Sequence, residues 1–205
     1  MSWTAALRAA LAAPFLLAPA AGVAPQAPPA PATVRVVLET SLGTIQIAVD
    51  AAHAPATAAN FLRYVDAGLY DGGRFHRTVR PGTETNTAVP IQIIQASRAR
   101  GRTDFPPIRL ERTSTTGLKH VDGAVSMARS GPDSATSDFF ICIGDQPALD
   151  DGGARNKDGM GFAVFGRVVG GMDVVRRIQA APVFPGSQTL EPPVPIVRAR
   201  RQPGG

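Results

Sequence analysis

The chain has 205 residues, 44% of them hydrophobic and 18% charged, which excludes a disordered chain and leaves room for one domain with its own core. Its formal charge of +5 comes from Arg and Lys scattered over many segments, without aromatic–basic alternation, so nucleic acid is not an expected partner. The single cysteine, Cys142, excludes an intramolecular disulfide, and its apolar setting reads as a buried strand rather than a reactive thiol. Residues 1–20 read as a cleavable leader. Arg8 precedes an apolar run from Leu11 to Leu17, interrupted by Pro14, and Ala18-Pro19-Ala20 offers a small-residue cleavage site. The run is shorter than the roughly 20 residues of a spanning helix. The mature chain is therefore expected to be periplasmic or secreted, with no membrane association after cleavage. Residues 21–32, with Pro25, Pro28, Pro29 and Pro31, read as a Pro/Ala-rich linker, and 33–205 as the folded domain.

Within that domain, Val34–Leu38 and Ile45–Val49 predict a hairpin turning at Ser41-Leu42-Gly43. A helix follows, with Pro55 in its first turn and Ala58, Phe61, Leu62 and Val65 on one face, and Gly68 beyond it. Short apolar runs at Ile91–Ile94, Gly123–Ala128, Phe139–Ile143 and Phe162–Phe165 then predict strands separated by glycine-rich loops. A second helix follows Gly170-Gly171, with Val174, Val175 and Ile178 together and Asp173 near its N-terminus. A last strand is expected over Pro195–Arg200. Many strands with two helices point to a mainly β fold, a closed antiparallel barrel that leaves no exposed edges.

Several catalytic templates are absent. There is no G-x-S-x-G elbow, and His53, His76 and His120 lack metal-ligand spacing. Asn156-Lys157-Asp158-Gly159 does not make a calcium loop, because Ala154 and Phe165 would hold its first and twelfth positions. Gly159-Met160-Gly161 has Val164 where a dinucleotide fingerprint needs a third glycine. Neither a cofactor nor a metal is expected.

What remains is an ordered set of motifs: Ala54-Pro55-Ala56-Thr57-Ala58-Ala59-Asn60-Phe61, Phe75-His76-Arg77, Ile93-Ile94-Gln95, Val125-Ser126-Met127-Ala128-Arg129, Ser137-Asp138-Phe139-Phe140-Ile141, Phe162-Ala163-Val164-Phe165-Gly166 and Gly171-Met172-Asp173-Val174-Val175. In this order they resemble the cyclophilin family of peptidyl-prolyl cis-trans isomerases, from about Val34 to Arg200, and in particular its bacterial periplasmic members. The resemblance implies an eight-stranded closed antiparallel barrel capped by two α-helices, a peptide groove on its outer face, and proline-containing polypeptides as partners. A monomer is the expected state. By the same resemblance Arg77 and Gln95 are the catalytic pair, and Ile93, Phe140, Leu149 and Phe162 form the proline pocket. Ala128, Arg129 and Asp138 join them as substrate-binding residues, Arg129 through its backbone. An alternative stays open: a catalytically weak peptide-binding module or holdase on the same barrel.

The chain also departs from the family pattern. The Arg77–Gln95 interval is about ten residues longer than is usual, with Arg80–Pro90 the insertion, read as a loop beside the groove. Gln92 stands where the family has a pocket phenylalanine, Asp138 where it commonly has a glutamine, and Ala148 where it has a tryptophan.

Overall fold

The computed structural model describes Met1 and residues 33–202; apart from Met1, the leader and linker assigned to 1–20 and 21–32 lie outside the described residues. Alternation builds the first two strands. In β1 (Thr33–Thr40) Val34, Val36 and Leu38 are buried, and in β2 (Gly43–Asp50) Ile45, Ile47 and Val49 are. This is the period of a strand with one face on the core. The two pair as the expected hairpin, closing at Thr40↔Gly43. Next comes α1 (Pro55–Asp66), whose Phe61 ring lies 5.4 Å from Tyr70, 5.4 Å from Phe139 and 4.9 Å from Phe165. Those rings form the aromatic centre of the interior.

The remaining elements are β3 (Arg74–Val79), β4 (Ile93–Ser97), the single-turn α2 (Thr113–Thr116), β5 (Ala124–Met127), β6 (Phe139–Cys142), a 3-10 turn (Pro147–Leu149), β7 (Ala163–Gly170), α3 (Met172–Ala180) and β8 (Thr189–Arg201). The strands close in the order β1-β2-β7-β5-β6-β4-β3-β8, with β8 pairing back to β1. Closure gives every strand two neighbours, which removes the edges that would template aggregation. Helix α1 packs on β7, β8 and β2, and α3 on β2, β3 and β4. Gly171, at φ 85°, starts α3; a Cβ there would collide with the Thr44 carbonyl, so glycine lets the helix approach β2.

The barrel and both expected helices are present, with α2 as an additional turn. The largest departures from the expected strands fall at β4, β7 and β8, and β3 is not among the runs read as strands. β4 begins at Ile93 rather than Ile91, and β7 continues to Gly170. β8 begins at Thr189, six residues before the expected Pro195. Prolines 192, 193 and 195 lack the N–H a ladder needs and argue locally against a strand. Pro192 and Pro193 are absorbed where β8 leaves regular register with β3, while Pro195 still pairs with Arg74. Phe75 faces Val194 and Arg77 faces Thr189, so residues 190–193 stand out of step opposite His76 alone. This irregularity is one of the features that positions the site.

The barrel wall separates two apolar clusters. Phe139 belongs to the interior cluster with Phe61, Tyr70 and Phe165. Its neighbour Phe140 belongs to an outer cluster with Val79, Ile91, Ile93 and Leu149. Successive side chains on β6 thus serve opposite faces. Cys142 lies buried in the outer cluster, where desolvation pushes its thiol far above the ordinary range, as expected of an inert packing residue.

Candidate active site

Strand register assembles the site. Arg77 on β3 faces Gln95 on β4, Gln95 faces Phe140 on β6, and Phe140 faces Ser126 on β5. These four residues form one row across the barrel's outer face. Cross-strand partners lie about 5 Å apart at Cβ, so a cation, an amide and an aromatic floor become neighbours although they are far apart in the chain.

Above the row is a cavity of about 260 Å³ lined by Arg77, Ile93, Gln95, Ala128, Arg129, Phe140, Leu149 and Phe162. Eight of the nine residues assigned from sequence therefore meet in one place. The ninth, Asp138, lines an adjoining cavity of about 190 Å³ that shares Gln95, Ala128 and Arg129 with the first. A larger cavity, about 440 Å³, lies elsewhere on the barrel against Ala48, Leu118 and Val169. It contains none of these groups, so volume alone does not mark the site.

Arg77 is held on two sides. Its Nη1 donates to Gln95 Oε1 at 2.9 Å, while Nε and Nη2 donate to Gln188 Oε1 at 2.9 and 2.6 Å. Burial, then the nearby Arg155 cation, pull its pKa below the ordinary arginine value, but a guanidinium starts high enough to stay charged. Gln95 in turn donates from Nε2 to Asp138 at 3.2 Å. The carboxylate that replaces the family's glutamine thus fixes the orientation of the Gln95 amide, with oxygen toward Arg77. Burial raises the Asp138 pKa, opposed by His76, whose Nε2 lies 4.0 Å away. Burial also lowers the His76 pKa, keeping that ring neutral near pH 7.

The aromatic floor has its own support. Phe140 and Phe162 pack edge to face with centroids 5.2 Å apart. Beneath Phe140 lies His120, its ring nearly parallel at 5.9 Å; Nδ1 meets Asp150 at 2.8 Å and Nε2 meets Ser126 Oγ at 3.0 Å. The sequence marked His120 only as a non-ligand. Its structural partners lie 30 and 6 residues away along the chain, too dispersed to read as a motif.

Arg129 contributes more than backbone. Its Nε donates to the Gly161 carbonyl at 2.8 Å, its two terminal nitrogens bind Asp158 at 2.7 and 2.9 Å, and its guanidinium lies 5.3 Å from the Phe162 ring centroid. The side chain, 2% exposed, braces one wall of the pocket. Gly161, at φ 62°, lets that segment press against the Asp150 backbone, which a Cβ would not allow, and Phe162 N–H then donates to the Leu149 carbonyl at 3.0 Å.

Ile91, immediately after the insertion, supplies an apolar wall where Gln92 replaces the family's phenylalanine. Gln92 turns away, its Oε1 accepting from Gln179 on α3 at 3.3 Å, while Ile91 lines the pocket beside Ile93. Residues two apart on an extended chain share a face, so Ile91 supplies the apolar surface one residue earlier. Residues 80–90 form a loop without helix or strand, as expected. The loop is anchored at Glu84, which pairs with Arg155 at 3.1 Å and accepts from Ile91 N–H at 3.0 Å and Asn86 N–H at 2.7 Å. Burial tends to raise the Glu84 pKa, but these backbone donors and Arg155 together hold it below the ordinary carboxylate value. The stabilisation is therefore complete above the unfolded value, about 4.3, and is lost as pH falls through the lower folded one. Protection of the Asn86 and Ile91 amides, measured against the intrinsic exchange rate at each pH, is expected to hold from neutral pH down to that point and to fall below it. Glu84→Ala is expected to leave these amides with little protection at every pH; an unchanged profile would show that the pair does not hold the loop.

The fold and site are thus a closed antiparallel barrel with an outer apolar pocket and a tethered arginine at its edge. Among the described residues no cluster of metal-ligating side chains occurs. Residues 35–201 match the sequence model of the cyclophilin type peptidyl-prolyl cis-trans isomerase/CLD family. The peptidyl-prolyl cis-trans isomerase A of Dickeya dadantii is 36% identical over 81% of this chain and 83% of its own length. A peptidyl-prolyl cis-trans isomerase of Acinetobacter baylyi is 36% identical over 74% of each chain. The crystal structure of a cyclophilin type peptidyl-prolyl cis-trans isomerase from Cryptosporidium parvum superposes with a TM-score of 0.67 at 20% identity, covering 84% of this chain and 99% of that one. Another structure of that protein, obtained in the presence of the dipeptide Ala-Pro, superposes with a TM-score of 0.65. The chain belongs to the cyclophilin-type peptidyl-prolyl cis-trans isomerase family and is an isomerase of that type.

Proposed function

We propose that this isomerase works outside the cytoplasm on exported polypeptides, accelerating their Xaa-Pro isomerisation and so assisting their folding, with Arg77 as the catalytic donor. Rotation about an Xaa-Pro bond must break amide resonance, a barrier of about 18–20 kcal/mol, and uncatalysed exchange takes roughly tens to hundreds of seconds. As the bond twists, the prolyl nitrogen recovers its lone pair and becomes a better hydrogen-bond acceptor. A fixed cationic donor then binds the twisted state more tightly than either planar one, which is the condition for catalysis. The observation that carries this reading is Arg77, tied by Gln95 and Gln188 at the edge of an apolar pocket. Ile91, Ile93, Phe140, Leu149 and Phe162 would receive the proline ring, with Gln95, Ala128, Arg129 and Asp138 along the adjoining peptide. No step requires a cofactor.

A protease-coupled assay on a short Xaa-Pro peptide tests the chemistry; absence of turnover would favour the peptide-binding or holdase alternative. The export reading rests on Arg8, the short apolar run and Ala18-Pro19-Ala20. Material expressed with residues 1–20 in a bacterial host is expected to begin near Ala21 and to be recovered from the periplasmic fraction. N-terminal sequencing checks this, and an intact Met1 in the cytoplasmic or membrane fraction would overturn it.

A further inference from the structure

The Gln95 side of Arg77 follows from the family resemblance, but the Gln188 side does not. Gln188 lies where β8 begins, in the stretch displaced from regular pairing by residues 190–193. Its place is set by the backbone: Thr78 N–H donates to the Gln188 carbonyl at 2.8 Å, and Thr189 is the β8 partner of Arg77. The turn before it is closed by Ser187 N–H to the Phe184 carbonyl at 3.0 Å and Thr189 N–H to Ser187 Oγ at 2.9 Å. The side chain therefore projects from an anchored position.

Its chemistry is also specific. Two N–H groups of Arg77, on Nε and Nη2, converge on one Gln188 oxygen. Only the oxygen end of the amide can accept them, since the NH₂ end would oppose donor to donor. That leaves Nε2 facing Thr85 Oγ1 in the insertion, 3.4 Å away. Arg77 has five N–H donors. Gln95 takes one and Gln188 two, so two remain for a substrate amide, on a guanidinium that cannot swing about its long stem.

We propose that Gln188 is a positioning residue of the isomerase: with Gln95 it clamps the Arg77 guanidinium from two sides in the orientation that meets the twisting prolyl bond. The proposal rests on the assignment of Arg77 as the catalytic donor. A donor that must be immobilised after substrate binds contributes less than one already in place, and small misplacements at a reacting centre cost up to about a hundredfold in rate.

The test is a double-mutant cycle with an independent structural readout. Gln188→Ala, and Gln188→Met, which keeps the length without an acceptor, are each expected to lower kcat for an Xaa-Pro peptide about tenfold or more, with KM within twofold and the thermal transition nearly unchanged. In an Arg77→Lys background the same Gln188 changes are expected to cost less than twofold, because a residue acting through Arg77 has nothing left to position. Equal losses in both backgrounds, a loss confined to KM, or no loss in an active enzyme would overturn the proposal. Independently of turnover, the Arg77 Nε–H proton is expected to exchange slowly by NMR in the wild type and rapidly in Gln188→Met. Fast exchange in the wild type would refute the clamp itself. Slow exchange in a wild-type protein without turnover would uphold the clamp and refute only the catalytic assignment on which its use depends.

Discussion

Replacing Arg77 with alanine is expected to lower kcat/KM for a short Xaa-Pro peptide by roughly a hundred- to a thousandfold, the usual effect of removing one preorganised donor, while the barrel still unfolds within a few degrees of wild type. The loss should fall on the chemical step, because the bond from Arg77 to the prolyl nitrogen strengthens only as the amide twists. The fold should tolerate the change because Arg77 lies half-buried on the outer face, and its protein partners are the side chains of Gln95 and Gln188. Water can reach both amides through the open pocket once the guanidinium is gone. Lysine should rescue little, since one ammonium cannot replace a planar fork that donates to two fixed glutamines and a substrate together. Peptide isomerisation and thermal unfolding measured on the same purified variant decide the matter. Retention of more than about half the activity would remove Arg77 from the mechanism.

Phe139 and Phe140 are expected to separate stability from function although they are adjacent. Phe139 is fully buried and meets Phe61, Tyr70 and Phe75 edge to face. Truncation to alanine opens a cavity in the interior at a cost of about 3–5 kcal/mol, which for a domain of this size lowers Tm by about 6–20 °C. Activity per folded molecule should change little. Phe140 faces the other way, with Phe162 and His120 against it and the pocket above. Phe140→Ala removes the pocket floor where solvent can enter, so its thermal cost should be smaller and its loss of kcat/KM at least tenfold, about the loss expected for a missing apolar contact in a binding pocket. Circular dichroism melts beside peptide kinetics test the pair. An equal loss of stability in both variants, or a greater loss of activity in Phe139→Ala, would contradict the assignment of the two faces.

Much of this was legible along the chain because the signals are local. The β1–β2 alternation, the apolar stripe of α1 and the start of α3 after Gly171 each depend on neighbours a few residues away. The family resemblance carried by the ordered motifs implied the eight residues that line the pocket, whereas strand pattern alone did not single them out. The bounds of β8 were not legible for the opposite reason. Its prolines speak against a strand locally, and only pairing with β3 and β1 at once makes the extended path favourable.

The sequence alone determined the family, through the resemblance its ordered motifs carry, and the buried faces of β1, β2 and α1, since apolar period and turn chemistry act over short stretches of chain. Tertiary structure decided what supports the reacting group. Gln188 is 111 residues from Arg77, and nothing in a loop glutamine announces a partner that far away. Arg155 and Glu84, 71 residues apart, become a buried pair only when the insertion folds over the pocket edge, and Ile91 replaces a wall that Gln92 would otherwise have left open. Charge and hydrogen-bonding partners are chosen by proximity in space, and across a closed barrel that proximity is set by register and bulges rather than by distance along the chain.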